Sequence, residues 1–230
     1  MAFGASFVLS DSLLYDEIIS CRKCPRLVNY RESVKENISK TANYWKKPVP
    51  GFGDLNSKIL IVGLAPSAQG GNRTGRVFTG DKSGAFLFKS LYAAGLSNRP
   101  VSEGPGDGLE LTGVYITAVV KCAPPNNMPT DDESLRCSSL FLMREIKMIE
   151  PRTIIVLGGF AFKWTMITLD KMGYNAPRGK FAHGTILKIS KSMEVICSFH
   201  PSPQNTNTRR LTEKMFLNVL ENAKKFALQT

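Results

Sequence analysis

Four short apolar runs recur along the chain, and each is bounded by glycine, proline or polar residues. The runs are rich in Val and Ile and too short for buried helices. A continuous apolar run of this length is typical of a strand buried on both faces of a sheet. The predicted strands are 58–62, 114–120, 153–157 and 193–199.

Helical spacing of the apolar residues appears between these strands and at both ends of the chain. One helix has its own start signal, because Thr130 and Glu133 can form a capping box. Strand and helix alternate, which predicts an α/β fold with a mostly parallel sheet covered by helices. The predicted helices are 11–31, 84–94, 131–149, 159–169 and 208–227.

One domain over residues 1–230 is the simplest organisation. A chain of 230 residues with 43% hydrophobic content can bury a single core, and no repeat divides it. In open parallel sheets, ligands bind where loops leave the carboxyl ends of the strands. We therefore expect functional residues in the loops after Val62, Val120, Leu157 and Phe199.

The charge balance favours an anionic partner. The chain has 30 Lys and Arg against 19 Asp and Glu, a net charge of +11 at pH 7. Such a surface suits nucleic acid, although a plain solvated basic surface is the alternative. The composition excludes a disordered, collagen-like or coiled-coil chain. No apolar stretch reaches the roughly 18 residues of a membrane helix, so we expect a cytoplasmic protein.

The cysteines predict a metal centre rather than disulfides, since five is an odd number and the expected compartment is reducing. Cys21 and Cys24 form a C-x-x-C pair, and Cys122 and Cys137 flank a proline-rich turn. Four thiolates suit either a zinc ion or a [4Fe–4S] cluster, and the spacing does not choose between them. Separate buried thiols are the alternative. Cys197 lies within an apolar strand and is predicted to be no ligand.

A glycine-rich loop, 63–81, follows the first predicted strand. Two of its glycines have P-loop spacing, but the lysine and hydroxyl residue that must follow are missing, which disfavours a nucleoside triphosphate site. The loop instead suits a flat ligand, with Phe78 as a stacking ring and Asp81 as a carboxylate. Its other polar groups are Asn72, Arg73 and Arg76. A plain connection, with Phe78 in the core and Asp81 capping the next helix, is the alternative.

The loop after the last predicted strand combines a histidine with hydroxyl, amide and basic groups. His200 is one of two histidines and stands at the carboxyl end of that strand. The residues that follow, including Arg209 and Arg210, suit contacts with phosphate groups. A structural histidine in a polar loop is the alternative.

Together these motifs resemble the uracil-DNA glycosylase superfamily, and most closely its iron–sulfur fifth family, type B. The four cysteines occur in the order of that family's cluster ligands. The likeness runs from about Cys21 to the end of the chain. Its matching segments are 63–66, 71–81, 122–130, 157–161 and 200–212.

The resemblance implies a three-layer α/β/α sandwich around a central, mostly parallel four-stranded sheet. It implies a [4Fe–4S] cluster, and so selects iron–sulfur over zinc, with Cys21, Cys24, Cys122 and Cys137 as ligands. The implied activity is hydrolysis of the N-glycosidic bond of uracil in DNA, which leaves an abasic site. Other deaminated bases, such as hypoxanthine, are expected as further substrates, and the protein is expected to be a monomer.

The resemblance also assigns roles to residues. The base must leave the duplex to be cleaved; Phe78 would stack on it, and His200 would donate a hydrogen bond to the oxygen that gains charge. Asp81 would position the attacking water, with Asn127 as a further catalytic residue. Other substrate-binding residues would be Gly63, Leu64, Ala65, Asn72 and Arg76. DNA-binding residues would be Gln204, Asn205, Arg209, Arg210 and Leu211, with Arg209 or Leu211 as the wedge that enters the duplex.

Two residues depart from the patterns of related families. Gln69 stands where many relatives have histidine, and Ala118 stands where the neighbouring iron–sulfur family has a uracil-reading asparagine. Strict selectivity for uracil is therefore not expected. The alternative function is a non-catalytic iron–sulfur protein of the same fold that binds nucleic acid without releasing a base.

Overall fold

A six-stranded sheet forms the centre of the protein in the computed structural model, which describes residues 4–35 and 44–228. The strands are β1 (Phe52–Gly53), β2 (Ile59–Gly63), β3 (Val114–Ala118), β4 (Thr153–Leu157), β5 (Ile186–Lys188) and β6 (Glu194–Ser198). Their spatial order is β1-β3-β2-β4-β6-β5. The β3-β2-β4-β6 core is parallel and matches the four predicted strands.

The prediction of a four-stranded sheet is wrong in number, because two short antiparallel strands extend its edges. β1 has two residues and β5 has three, and neither is fully buried. Edge strands this short carry no continuous apolar run, so hydrophobic patterning does not detect them. All residues of the four central strands are buried, as the patterning predicts.

Helices cover both faces of the sheet, which confirms the three-layer α/β/α architecture. Along β2, Leu60 and Val62 join one core cluster while Ile59 and Ile61 join the other. No described helix is long and apolar enough to cross a membrane. The described helices are α1 (Gly4–Ile19), α2 (Pro25–Ser33), α3 (Gly71–Thr74), α4 (Lys82–Ala93), α5 (Asp131–Cys137), α6 (Met143–Ile149), α7 (Gly159–Lys171), α8 (Pro203–Asn207) and α9 (Glu213–Ala227).

The helix predicted over 131–149 is present as α5 and α6, joined by a π-helical turn at Ser138–Leu142. Its capping box is also confirmed. The Thr130 side chain accepts a hydrogen bond from the Glu133 backbone N–H at 3.2 Å, and the Glu133 carboxylate accepts one from the Thr130 backbone N–H at 2.8 Å.

The prediction of one N-terminal helix over 11–31 is wrong. α1 ends at Ile19 and α2 begins at Pro25, with an irregular segment between them. Proline lacks a backbone N–H and restricts the residue before it, so it is tolerated in the first turn of a helix but not in its interior. Cys21 and Cys24 therefore lie in a turn between two helices rather than on a helix face.

A fully buried ion pair lies at the carboxyl end of β3. The Lys121 ammonium is 2.5 Å from the Glu145 carboxylate, and the two side chains are 1% and 0% exposed. The ammonium also donates to the Thr117 hydroxyl at 2.5 Å and to the Ala118 carbonyl at 2.9 Å. Because buried charges are tolerated only when paired, this network fixes α6 against the end of β3.

Replacing Glu145 with Leu is expected to lower the free energy of unfolding by about 3–5 kcal/mol, since it leaves a buried ammonium unpaired. The double variant Lys121→Met/Glu145→Leu should recover most of that loss, because no uncompensated charge remains. Urea unfolding followed by circular dichroism measures both. Asp131→Asn, which weakens the exposed Lys163–Asp131 pair, is the control and should cost less than about 1 kcal/mol. Equal losses in the single and double Glu145 variants would contradict this account.

Candidate active site and metal centre

A pocket of about 330 Å³ opens at the carboxyl edge of the parallel strands, where the fold predicts ligand binding. We call it the edge pocket. Residues from the loops after β2, β3 and β6 and from the start of α4 meet there. Its lining is Leu64, Ala65, Pro66, Ser67, Val77, Phe78, Asp81, Ser83, Ala118, Asn127, His200, Ser202 and Pro203. The structure thus brings together the three residues predicted to be catalytic.

Asp81 is held in a fixed orientation by two hydrogen bonds. It is the N-cap residue of α4, and its Oδ1 accepts a bond from the Gly84 backbone N–H at 2.9 Å. Its Oδ2 accepts a bond from the Ser67 hydroxyl at 2.6 Å. The carboxylate is half-buried and faces the pocket, so it caps the helix and can also accept a bond from a water molecule.

Phe78 lies against the backbone of β2. A side chain at Gly63 would place a Cβ atom 2.6 Å from the Phe78 ring, so the ring needs glycine at this position. The φ angle of Phe78 is 52°, in the left-handed region that non-glycine residues seldom adopt. This strained backbone turns the ring toward the pocket, where it can stack on a planar ligand.

His200 lies opposite Phe78, with 6.0 Å between the ring centroids. Its backbone carbonyl accepts a hydrogen bond from the Asn205 side chain at 2.8 Å, which ties the histidine to the following loop. Burial lowers the pKa of His200 below its usual value, and the negative charge of Asp81 offsets part of that shift. The imidazole is therefore neutral near pH 7 and can donate one hydrogen bond.

Asn127 reaches the mouth of the pocket from a tight turn after β3. Asn126 and Asn127 both have left-handed backbone, with φ of 53° and 55°. Asparagine tolerates this conformation better than most residues. Both side chains are exposed, but only Asn127 lines the edge pocket.

Asn72, predicted to bind substrate, does not line the pocket. It is fully buried, and its Nδ2 donates to the Arg31 backbone carbonyl at 3.1 Å. It therefore anchors the loop after β2 to α2. Gln69, near it in sequence, also has partners elsewhere: its Oε1 accepts a bond from the Tyr44 hydroxyl at 2.6 Å.

Arg76 also lies away from the pocket. It is buried, its Nη1 donates to Asp107 at 2.8 Å, and its guanidinium stacks on Phe52 at 4.3 Å from the ring centroid. Burial opposes ionisation of Asp107, but the backbone N–H of Glu103 and the Arg76 guanidinium hold the pKa of that carboxyl well below its usual range. Arg76 thus secures a loop, and the prediction that it contacts substrate has no support in its position.

Leu211 cannot act as a wedge from the position it occupies. It is 1% exposed and belongs to the core cluster that α9 and α4 form against the sheet. Its backbone N–H donates to the Asn205 carbonyl at 3.0 Å, which closes the loop around α8. The predicted placement of Leu211 in DNA is therefore incompatible with this structure.

Gln204, Arg209 and Arg210 of this loop are exposed, whereas the Asn205 side chain binds the His200 carbonyl. Arg209 has a left-handed φ of 58° that ends the turn after α8. This break explains why the last helix begins at Glu213 and not at the predicted residue 208. The Arg210 guanidinium lies 4.5 Å from the centroid of the Phe199 ring. Both arginines remain available to phosphate groups.

A second cavity, the cysteine cavity, is lined by all four predicted ligands: Cys21, Cys24, Cys122 and Cys137. Its other walls are mostly apolar. Every cysteine is a free thiol, and Cys197 lies in β6, away from this cavity. The structure therefore gathers two cysteines from the α1–α2 turn with two from the segment after β3.

The donor set of the cysteine cavity bears on which metal group it can hold. Among the described residues, no three His, Cys, Asp or Glu side chains converge closely enough to hold one metal ion. In a [4Fe–4S] cubane each thiolate binds a different iron, so the four sulfurs stand further apart than around one zinc ion. The four thiols around a shared cavity are soft donors of the kind that an iron–sulfur cluster takes.

Hydrogen-bond donors point at three of these sulfur atoms: Arg31 Nη1 to Cys122 Sγ at 2.9 Å, the Lys121 backbone N–H to Cys137 Sγ at 3.3 Å, and Arg136 Nη1 to Cys24 Sγ at 3.6 Å. Such donors stabilise thiolates and tune iron–sulfur clusters. Without a metal, burial raises the pKa of the Cys122 thiol to about 11, against the lowering effect of Arg31. Burial raises the pKa of Cys137 as well.

α2 connects the cysteine cavity to the turn that carries Asn127 and to the loop after β2. The Arg26 guanidinium binds the Glu133 carboxylate at 2.6 and 2.8 Å and donates to the Met128 carbonyl at 3.1 Å, beside Asn127. At the other end of α2, the Arg31 carbonyl holds Asn72. No sequence motif marked Arg26, Arg31 or Ser67, because their partners lie far away in sequence.

Sequence comparisons agree with this architecture. A family model for the uracil DNA glycosylase superfamily matches residues 50–224. A type-5 uracil-DNA glycosylase of Pyrobaculum aerophilum is 45% identical over 209 residues, which cover 90% of this chain and 89% of the relative. A type-5 relative of Thermus thermophilus is 45% identical over 212 residues, or 91% and 95% of the two chains.

More distant matches carry the type-4 name. A type-4 uracil-DNA glycosylase of Sulfurisphaera tokodaii is 32% identical over 221 residues, which cover 92% of this chain and 84% of the relative. The type-5 identities are higher over nearly the same length. With the edge pocket, the cysteine cavity and these matches together, the chain belongs to the type-5 branch of the uracil-DNA glycosylase superfamily.

Proposed function

We propose that this protein is a monofunctional DNA glycosylase that hydrolyses the N-glycosidic bond of uracil in DNA and leaves an abasic site. One observation carries the proposal: Asp81, Phe78 and His200 meet in a single pocket at the carboxyl edge of the sheet. The type-5 relatives, which bear the name uracil-DNA glycosylase, support the substrate. The net charge of +11 suits a polyanionic partner such as DNA.

Binding begins with a nucleotide that has left the base stack, since the target atom is out of reach inside a duplex. The flipped base stacks on Phe78, and Ala118 leaves room for it at the pocket wall. Gly63, Leu64 and Ala65 bring the β2 backbone close to its edge. Because Ala118 offers no polar side chain to read uracil, purines such as hypoxanthine are proposed as further substrates.

Cleavage of the bond places negative charge on the departing base and positive charge on the sugar. His200 donates a hydrogen bond to the base oxygen that gains charge, and Asn127 is placed at the mouth to assist. The Asp81 carboxylate stabilises the cationic sugar and orients the water that attacks it. Its bonds from Ser67 and Gly84 hold that orientation before substrate arrives, so little reorganisation is needed.

Asp81→Asn is expected to lower the single-turnover rate of uracil release by about 100-fold or more, because it removes the charge that orients the water. Asparagine also caps helices well, so the fold should persist. The measurement is alkaline cleavage of a labelled uracil-containing duplex after incubation with enzyme.

Asp131→Asn provides the matched control, since it neutralises an exposed carboxylate in the first turn of α5. It should leave the rate near that of the wild type. A rate for Asp81→Asn within a few-fold of wild type would refute the role of Asp81. Absence of base release by the wild type would instead favour a non-catalytic nucleic-acid-binding protein.

His200 is expected to titrate below the ordinary histidine value of 6.5, because burial disfavours the imidazolium. In Asp81→Asn its pKa should fall further, since the carboxylate that favours the charged form is gone. His183, whose pKa burial also lowers, should not respond to this substitution. NMR titration resolves both histidines, and an upward shift of His200 in Asp81→Asn would contradict the assigned geometry.

We propose that the cysteine cavity holds a [4Fe–4S] cluster through Cys21, Cys24, Cys122 and Cys137. When bound, the cluster cross-links the α1–α2 turn to the segment after β3. Arg31, Arg136 and the Lys121 backbone stabilise its thiolate ligands. Since α2 contacts the turn that carries Asn127 and the loop after β2, this cross-link would position residues that meet DNA without itself taking part in bond cleavage.

Cys24→Ala is expected to abolish the broad visible absorption of the purified protein and most of its iron. Cys197→Ala, which removes a buried thiol outside the cavity, is the control and should keep about four irons per chain. Iron analysis with a visible spectrum measures both. Zinc in place of iron, or equal iron in the two variants, would refute the proposed cluster.

A further inference from the structure

We propose that Met128 is the apolar side chain that enters the DNA base stack beside the flipped nucleotide. This inference rests on the proposed function, because it concerns how the same enzyme holds its duplex substrate. Its basis is the position, exposure and backbone support of Met128, and not the loop around Arg209 and Leu211.

Met128 combines an apolar side chain with high exposure at the mouth of the edge pocket. Its side chain is 71% exposed, and the preceding residue, Asn127, lines the pocket. Single exposed apolar residues are common and by themselves imply nothing. Here, however, DNA that delivers a base into the pocket must press against the pocket mouth, so Met128 lies in the contact surface.

The backbone beneath Met128 is held from several directions. Its N–H donates to the Pro125 carbonyl at 3.0 Å, and its own carbonyl accepts the bond from Arg26 at 3.1 Å. Arg26 is in turn fixed by its two bonds to Glu133. The turn before Met128 contains two consecutive left-handed asparagines, and Pro129 follows it. A side chain on so well-supported a turn can press into DNA without its backbone yielding.

Other candidates for this role fit less well. Leu211 is buried in the core, and Arg209 is exposed but charged, which suits phosphate contacts better than the space between bases. Val101 is 50% exposed, but it lies in a neighbouring groove, lined also by Lys82 and Lys89, that shares only Asp81 with the edge pocket. Among these four side chains, Met128 alone is exposed, apolar and adjacent to a residue that lines the edge pocket.

The physical role follows from base flipping. Extrusion of a nucleotide leaves a gap in the stack, and unstacking costs a few kcal/mol per step. Apolar side chains, Met among them, are used as wedges in such gaps. Methionine is unbranched and polarizable, so it adapts to whichever bases flank the lesion. Filling the gap stabilises the flipped state in a duplex, whereas a single strand has no continuous stack to fill.

The test is binding of the intact, cluster-loaded protein to DNA that contains a tetrahydrofuran abasic analogue, measured by fluorescence anisotropy with duplex and single strand. Met128→Ala should weaken duplex binding by about tenfold, as expected for the loss of one buried apolar side chain, and leave single-strand binding near wild type. Met128→Leu should restore most of the duplex affinity. A purely structural role would weaken both forms of DNA alike.

Leu228→Ala is the matched control. Leu228 is 77% exposed and directly follows α9. The backbone carbonyl of Ala223, within α9, accepts a hydrogen bond from Thr153 at the amino end of β4, which is the end opposite the edge pocket. This control should bind both DNA forms like the wild type. The salt dependence of duplex binding should be unchanged in Met128→Ala and reduced in Arg209→Ala, because only arginine neutralises phosphate.

Equal duplex affinity for Met128→Ala and wild type would overturn the inference. A loss of duplex affinity in Val101→Ala, with none in Met128→Ala, would also overturn it. That result would place the contact with the base stack in the groove beside Asp81. Release of uracil from single-stranded DNA by the wild type tests the proposed function separately. Because the abasic analogue needs no chemistry, the binding comparison decides the role of Met128 even if uracil is not released.

Discussion

The buried pair of Lys121 and Glu145 is the contact on which the arrangement of both sites depends. Two charges that are buried away from water must form an ion pair and satisfy their remaining hydrogen bonds. The end of β3 and α6 therefore have one low-energy arrangement. Lys121 binds the carbonyl of Ala118, a wall of the edge pocket, and its backbone N–H binds the sulfur of Cys137. One residue thus sets the distance between pocket and cysteine cavity.

α2 is the second support of this arrangement. It starts next to Cys24. Its exposed Arg26 reaches the turn at Met128, its buried Arg31 reaches the cavity, and the Arg31 backbone carbonyl binds Asn72. Because α2 contacts all three segments, fixing the position of one segment also restrains the other two. A group bound between the four cysteines would therefore restrain the segments that carry residues of the edge pocket.

In the edge pocket, helix capping and a strained backbone orient the side chains that are proposed to act on the substrate. Asp81 satisfies the Gly84 N–H at the start of α4, as any N-cap aspartate does, yet its carboxylate still faces the pocket. Phe78 has a left-handed, strained backbone, and the absence of a side chain at Gly63 leaves space for its ring. Stability and the proposed function therefore depend on the same atoms, and a capping role for Asp81 does not exclude a catalytic one.

The sequence by itself determined the parts that depend on local pattern: the four central strands, the capping box at Thr130, and loops carrying Asp81, Phe78 and His200 to one edge. The motif order also singled out the four cysteines that share a cavity. Tertiary structure decided which way individual side chains turn. Asn72 binds a carbonyl 41 residues away and Arg76 a carboxylate 31 residues away. Leu211 packs in the core, and the edge strands β1 and β5 form only by pairing with β3 and β6. Such contacts depend on which residues distant in sequence become neighbours in space, and the local hydrophobic pattern does not contain that information.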